Sequence, residues 1–409
     1  MCNVLTYEQI DRIEWSRLVL GSDTGNWFQT PEAYSFYESL PDLFRPFVVG
    51  IASPHPSPEG KGERLRGVCV GYVTVEKSAF KQFLTRRAII IGGPCFADDC
   101  INEEVIALLE AVKTKTRNLQ SSDDNLPSIE QQSARKQASG QTIAQSCAAG
   151  AESQQDSSQK HASLTKNSKN IFKRYAPIYI ESRNFNDYSR WKDAFTAAGF
   201  DYLPHLNFHV DTSSVEVVEA NMGKSRKRDI RTTIREGVSV VPIGDLKLEI
   251  GDLEREQKIQ EFYAILENLY KTKVKTPLFP VEFFLELSKH KDARFLLTEL
   301  NGKIIGGTVC VAQEGKCLYE WFACGEDGVY PHVFPSCYAT YAGIKYAAEH
   351  MIPRFDMMGA GKPDEAYGVR DFKAKFGGKE GEHGRFLCVT KPLLYKIGTI
   401  GVKILKKLK

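Results

Sequence analysis

The sequence predicts an α/β protein in which one unit is used twice, and three observations carry that prediction. Once a long polar stretch is set aside, each half repeats the same order of elements: hairpin, strand, helix, strand. At 409 residues the chain exceeds what one ordinary core serves, so two domains are expected. With 42% of its residues hydrophobic, it has enough apolar material to fill both.

In chain order, Thr30 and Pro31 predict a helix start, because a threonine oxygen accepts an orphan N–H and proline needs none at the first helical position. Strands are expected around Phe47-Val48-Val49 and over 68–75, with a Pro-rich hairpin extension over 53–62. Ala88-Ile89-Ile90-Ile91, a helix over 103–115 and the strand Ala176-Pro177-Ile178-Tyr179-Ile180 complete the first unit. Between the last two, residues 121–170 hold no Phe, Tyr or Trp, and 19 of the 50 are Ser or Gln. Such a segment cannot bury enough apolar surface to offset its ordering entropy, so a disordered insertion over about 119–170 is expected, interrupting the first domain. Trp191, Phe195 and Ala198 form the apolar face of a helix closed by Gly199. In the second half, Ile259, Phe262, Leu266 and Leu269 stripe a helix over 257–270. Strands follow around Phe295-Leu296-Leu297, over 304–311 and over 317–323, then a helix over 335–350 and a strand at Phe355. Domains are expected at 1–210 and 211–385, with a basic amphipathic tail over 386–409.

The net charge of +3 excludes a global polycation, so any anionic partner must be held by local clusters. Ten cysteines lack a Cys-x-x-Cys pair, and Glu8, Asp11 and Glu14 stand where a secretory signal needs an apolar run. A reduced, cytoplasmic protein is expected. No apolar run approaches the ~18 residues of a membrane span. Cys310, Cys317 and Cys324 recur every seventh residue, but in hairpin-like sequence around Glu314-Gly315, which reads as buried thiols. His205, Asn207 and His209 share one strand face without a third ligand at metal spacing, so no metal site is expected.

Lys224, Arg226, Lys227, Arg228, Arg231 and Arg235 form the densest positive cluster in the body of the chain. On a helix, Arg228, Arg231 and Arg235 share one face, which either grips phosphates or is simply solvated while Ile230 and Ile234 pack beneath. Near the end, Leu393, Ile397, Ile400, Ile404 and Leu408 follow helical spacing among Lys396, Lys403, Lys406, Lys407 and Lys409. That pattern suits either contact with an anionic membrane surface or a terminal helix packed on the first domain. The stretch from Tyr367 to Gly378, taken as extended, puts Phe372, Ala374 and Phe376 on one face and Asp371, Lys373 and Lys375 on the other. By spacing alone it is a half-buried strand with a solvated lysine face.

The run Phe372-Lys373-Ala374-Lys375-Phe376-Gly377, after the strand Arg354-Phe355-Asp356-Met357-Met358-Gly359, resembles the Fem family of peptidoglycan bridge-forming aminoacyltransferases, relatives of the lipid II:glycine glycyltransferases. Arg228-Asp229-Ile230-Arg231, six residues before Gly237-Val238, is similar to a second signature of that family. The likeness runs from about Asn26-Trp27-Phe28-Gln29-Thr30-Pro31 to the end, broken by the insertion. It implies two tandem GNAT-like domains, each a twisted mixed sheet flanked by helices, with the C-terminal segment returning to the first. It also implies transfer of an amino acid from aminoacyl-tRNA to the amine of a nucleotide- or lipid-linked peptidoglycan precursor, with no further cofactor.

By the same resemblance Lys373 carries the charge that stabilises an oxyanion, and Phe372 shapes the pocket. Asp356 is either a proton acceptor or a buried cap, while Tyr367 and Arg370 stand close enough in sequence to line one cleft. Arg228 and Arg231 would hold an anionic substrate. The chain departs from the family where Lys271 and Lys273 replace an expected arginine, leaving both as candidates. A precursor-contacting lysine after Gln29 is also missing, with Phe36 and Tyr37 near its place. An acyl-CoA N-acyltransferase is one alternative, but Gly325-Glu326-Asp327-Gly328-Val329-Tyr330-Pro331-His332 lacks the glycine spacing of a pyrophosphate loop and carries two acids and a proline. A non-catalytic binding module of the cell envelope is the other.

Overall fold

The computed structural model describes residues 2–56, 63–76, 78–119, 176–244, 251–365 and 368–407. Its first strands are β1 (Asn3–Leu5), β2 (Phe44–Pro56), β3 (Glu63–Thr74), β4 (Ala88–Gly92), β5 (Cys95–Phe96), β6 (Tyr179–Asn184) and β7 (Asp201–Leu203). The second half adds β8 (Leu206–Asp211), β9 (Ser239–Ile243), β10 (Ala293–Leu300), β11 (Lys303–Gln313), β12 (Cys317–Gly325), β13 (Arg354–Gly359), β14 (Lys379–Glu382) and β15 (Arg385–Val389). They form two mixed sheets, ordered β1-β2-β3-β4-β6-β15-β7, with β5 also on β3, and β14-β8-β13-β12-β11-β10-β9.

The duplication expected from the sequence is present. In the first sheet the β2–β3 hairpin and β4 are antiparallel, and the helix Asn102–Asn118 precedes β6, which lies parallel to β4. In the second, β10, β11 and β12 are antiparallel, and the helix Pro335–Glu349 crosses over to the parallel β13. β15 pairs with β6 and β7 in the first sheet. β8 pairs with β13 in the second, so the boundary falls between Leu203 and Leu206, earlier than position 210. The Ser/Gln-rich insertion lies outside the described residues. What flanks it, the helix ending at Asn118 and the strand β6, belongs to one sheet.

The Asn26–Pro31 motif proves to be architecture. Thr30 accepts the Ala33 N–H at 3.1 Å with Pro31 at the first helical position. Gln29, wholly buried, donates to the carbonyls of Val70 and Ile91 and accepts from Val70 N–H at 2.8–3.0 Å. It bridges β3 and β4, which pair only at Tyr72–Ile89 and Val73–Ala88, by bonding backbone groups of both strands beyond that register. Its neighbours join the two halves. Trp27 donates to Asp292 at 2.9 Å, and Phe28 meets Tyr319 and Trp321 edge to face. Lys316 completes the seam by donating to the carbonyls of Val19, Leu20 and Ser22 at the end of the helix Arg12–Gly21.

A second polar anchor sits inside the first sheet. Glu181 accepts from Arg183 at 2.9 Å and from Arg385 at 2.7 Å, tying β15 to β6. Burial works to raise the Glu181 pKa, but the two guanidinium groups prevail and bring it down to about 2. A carboxylate whose folded pKa is depressed stabilises the protein above its unfolded pKa and loses that contribution as pH falls through the folded value. The shift corresponds to about 3 kcal/mol. Acid titration of unfolding is therefore expected to show a loss of this size as pH falls from the ordinary glutamate range toward about 2. Glu181→Gln should flatten that part of the curve, and an unchanged acid limb would rule the anchor out.

Candidate active site

The parallel strands β12 and β13 pair only at Leu318–Phe355 and Tyr319–Asp356 and then part. In the first sheet the equivalent pair, β4 and β6, stays in register from Ala88–Ile180 to Gly92–Asn184. Among the described residues, the second copy of the unit therefore opens a wedge where the first stays paired. A cavity of about 410 Å³ fills it, lined by residues 320–325 of β12, 357–359 of β13, and Val369, Phe372 and Lys373.

Lys373 reaches this wedge by a route the sequence pattern misread. Gly368–Ala374 is a helix, not a strand, and Lys373 and Phe376 are buried together while Ala374 and Lys375 are exposed. Residues three apart on a helical path share one face; on a strand the same three-residue separation would have placed Lys373 opposite Phe376. The Lys373 ammonium donates to the carbonyls of Met357 and Gly359, the latter at 2.8 Å. Those carbonyls belong to the part of β13 that has left β12, so the lysine satisfies groups that a paired strand would have used. Between them Met358 has a left-handed backbone, φ 58°, where β13 loses register with β8. Burial lowers the Lys373 pKa from its ordinary value, opposed by the charges of Glu320 and Asp356.

Arg226 holds the lysine helix in place. Its guanidinium donates to the Phe372 carbonyl at 3.1 Å and lies over the rings of Phe372 and Phe376, 4.5 and 4.4 Å from their centroids. Gly223 N–H, at the start of the helix Lys224–Arg235, donates to Lys375 O at 3.0 Å. Gly377 closes the contact with φ 81°, where a Cβ would come within 2.4 Å of Asn221 O, so only glycine fits.

Glu320 is the carboxylate of the wedge. Its Oε1 accepts from Thr308 at 3.1 Å and Thr340 at 2.8 Å. Burial raises its pKa, with the Lys373 charge and the two hydroxyls pulling the other way. Sequence reasoning missed this residue, although a lone acid within the apolar run of 317–323 was a visible signal. In the sequence Arg226 is only one member of a basic cluster.

The other predicted site residues divide. Phe372 and Lys273 line the wedge, whereas Lys271 pairs with Glu267 at 2.8 Å on the exposed side of its helix, which separates the two lysine candidates. Asp356 is fully buried, accepts from Met358 N–H at 2.7 Å and stands 3.2 Å from His209; it lines neither the wedge nor the larger cavity beside it. Burial tends to raise its pKa, but His209, Arg354 and the Met358 N–H hold it below the usual carboxylate value. That is the setting of a structural cap rather than a proton acceptor. Arg370 also turns away from the wedge, donating to the carbonyls of Ala360, Lys362 and Pro363. Tyr367 lies outside the described residues. Arg228 and Arg231 line a separate shallow groove with Lys224, Lys227 and Arg235, so the basic face is solvent-facing and distinct from the lysine cleft. Among the described residues no three His, Cys, Asp or Glu side chains gather as a metal site would require.

A larger cavity of about 900 Å³ lies between the two sheets. Tyr72, Arg183 and Arg385 line it from the first sheet with Arg87 just before β4, Trp321 from the second with Tyr270 from the turn after the helix Asp252–Leu269, and it shares Trp321, Phe322, Met358 and Gly359 with the wedge. The two spaces adjoin at the strand break beside Lys373.

Residues 224–373 match the acetyltransferase (GNAT) domain family, in keeping with the GNAT-type fold of the second half. The structure is similar to the crystal structure of FemX, with a TM-score of 0.57 and 12% identity over 97% of this chain and 99% of that one. Lower scores relate it to the C-terminal domain (DUF2156) of a putative lysylphosphatidylglycerol synthetase from Agrobacterium fabrum, at 0.49 with 10% identity over 94% and 93% of the two chains. L-PGS from Bacillus licheniformis scores 0.48 with 10% identity, covering 97% of each. No curated protein matches the sequence. The fold is the Fem-like tandem GNAT fold.

Proposed function

With the tandem GNAT fold as premise, we propose that this protein is an aminoacyltransferase, moving an amino acid from its ester on tRNA to the amine of a peptidoglycan precursor. The observation that carries the reading is the placement of the Lys373 ammonium in the wall of the wedge, next to the cavity between the sheets. One space suits the activated acyl end and the other an extended acceptor. Their junction is where amine and carbonyl would meet.

An aminoacyl ester is already reactive, so the enzyme's work is alignment and charge stabilisation. The acceptor nitrogen forms a bond to the acyl carbon, and the carbon–oxygen bond to the ribose breaks. Lys373 stabilises the oxyanion formed between those events. The proton released by the amine passes to Glu320, whose pKa burial raises, and ends on the departing ribose oxygen. Phe372 forms part of the wall.

Coenzyme A suits the wedge less well. A pyrophosphate would need the N-terminus of the helix Pro335–Glu349, but Asp327 already accepts from the Ser336 N–H there at 3.2 Å and from its hydroxyl. Pro335 supplies no N–H, and the carboxylate repels an anion. Purified protein assayed with a pool of charged tRNAs and lipid-linked precursor should form an amide product, while calorimetry with coenzyme A should register no binding. Acyl transfer from acyl-CoA to a small amine, with none from tRNA, would replace this reading with the ordinary GNAT one.

The exposed basic groove is proposed to steer the tRNA. Arg228→Ala with Arg231→Ala should weaken donor binding about tenfold at low ionic strength and reduce the salt dependence by about two charges. Affinity and salt slope equal to wild type would leave the groove a solvated surface.

A further inference from the structure

The last helix, Pro392–Lys407, is already seated on the first domain by one face, and it carries a second apolar row that no other described residue covers. Tyr395 meets the ring of Tyr179 edge to face at 5.5 Å, and Gly398 turns toward the Leu84 carbonyl. On the other side Leu393, Ile397 and Ile400 are 79%, 56% and 57% exposed. Spaced four and three apart, they form one continuous row along the helix. Three large aliphatic side chains aligned in water are a different observation from scattered surface residues.

The charge around that row selects its partner. No Asp or Glu occurs from residue 383 to the end, while Lys391, Lys396, Lys403, Lys406, Lys407 and Lys409 do. Lys396, one turn from Ile400 and next to Ile397, is exposed. A second copy of the chain on a two-fold axis would set these lysines against one another, with no acidic residue of the segment to pair them. An anionic bilayer meets both features, taking the aliphatic row into the headgroup boundary and pairing the lysines with lipid phosphates. Among the described residues no helix is long and apolar enough to span the membrane, so the helix would lie along the surface.

We infer that the helix Pro392–Lys407 is a docking element for an anionic lipid bilayer. Its position gives the docking a use. The helix packs beside the short helix Ala79–Thr85, and Glu76, Ser78 and Arg87 on either side of that helix line the large cavity. Docking brings the rim of that cavity toward the lipid headgroups, which favours a lipid-linked over a nucleotide-linked acceptor; this consequence rests on the proposed function, whereas docking itself does not.

The test is co-sedimentation of the full chain with vesicles of phosphatidylcholine alone and of phosphatidylcholine mixed with phosphatidylglycerol. Binding is expected to the mixed vesicles, to fall as salt is raised, and to drop about tenfold or more in the double variant Ile397→Ser, Ile400→Ser. Because both side chains are exposed, the variant should melt at the wild-type temperature, which separates lost docking from lost folding. Equal binding by wild type and variant would overturn the inference, as would equal binding to both vesicle types. Sedimentation showing a wild-type dimer that the double variant dissolves would also overturn it, by giving the row to a second copy. Failure of the transfer assay with vesicle binding intact would count against the proposed function and leave the docking standing.

Discussion

Lys373→Ala is expected to lower turnover by about 10²- to 10³-fold, the cost of removing a preorganised group aimed at developing negative charge. The protein should remain folded. Burial disfavours the charged form of this lysine, so truncation relieves a desolvation penalty while freeing the Met357 and Gly359 carbonyls to bind water in the wedge. The pH dependence carries a sign that can be checked. The pKa of Lys373 is lowered in the folded state, so the ammonium is lost at a lower pH than for an ordinary lysine, and activity should decline on the alkaline side ahead of that range. Stability moves the other way: between the lowered and the ordinary pKa the unfolded chain binds more protons, so wild-type stability rises with pH there. The alanine variant should lack that rise. Near-normal transfer by the variant would sink the assignment.

Arg226→Met is expected to destabilise the protein by about 2–3 kcal/mol, from a charged hydrogen bond worth about 1.5–3 kcal/mol and a stacked cation worth about 0.5–2 kcal/mol, partly offset by the methionine's own burial. A greater effect is expected on catalysis. Arg226 does not itself line the wedge; it grips Phe372, which does, and Phe376 just beyond the helix, so it holds the chain on either side of Lys373. Loosening that grip leaves the charge in place but its direction unfixed, and misplacement of about 1 Å costs on the order of 10² in rate. The expected signature is a lower kcat with nearly unchanged KM at a temperature well below the melt. If denaturation shows the loss of stability while kcat holds, Arg226 stabilises the fold without positioning the lysine. The two measurements therefore separate its effects.

Much of this architecture is written in local pattern. Thr30 and Pro31 start their helix because both the cap and the missing N–H act within one turn. The doubled hairpin–strand–helix–strand order survives because hydrophobic periodicity reports which face of each element is covered, whichever neighbour covers it. The stretch around Lys373 defeated that reading. Alternation at 372, 374 and 376 looked like a strand, yet the helix wins because Arg226, 146 positions away in the chain, stacks on Phe372 and Phe376 and fixes both on its own side. Asp356 was visible as a carboxylate near a signature motif, but its burial beside His209 depends on pairing with β8, about 150 residues earlier in the chain.

Residue order alone was enough for the twofold repeat and the α/β class, since these follow from periodicity and caps, whereas Lys373 became a candidate only through resemblance to a motif contiguous in the chain. The wedge needed three dimensions. It exists because β12 and β13 share two register pairs and then diverge, and strand divergence is a property of how neighbouring strands of a sheet twist, invisible along either strand. Within it, Lys373 and Glu320 come together from distant segments, with Arg226 behind Phe372, and the altered ionisation of Lys373 and Glu320 arises from the burial that packing imposes.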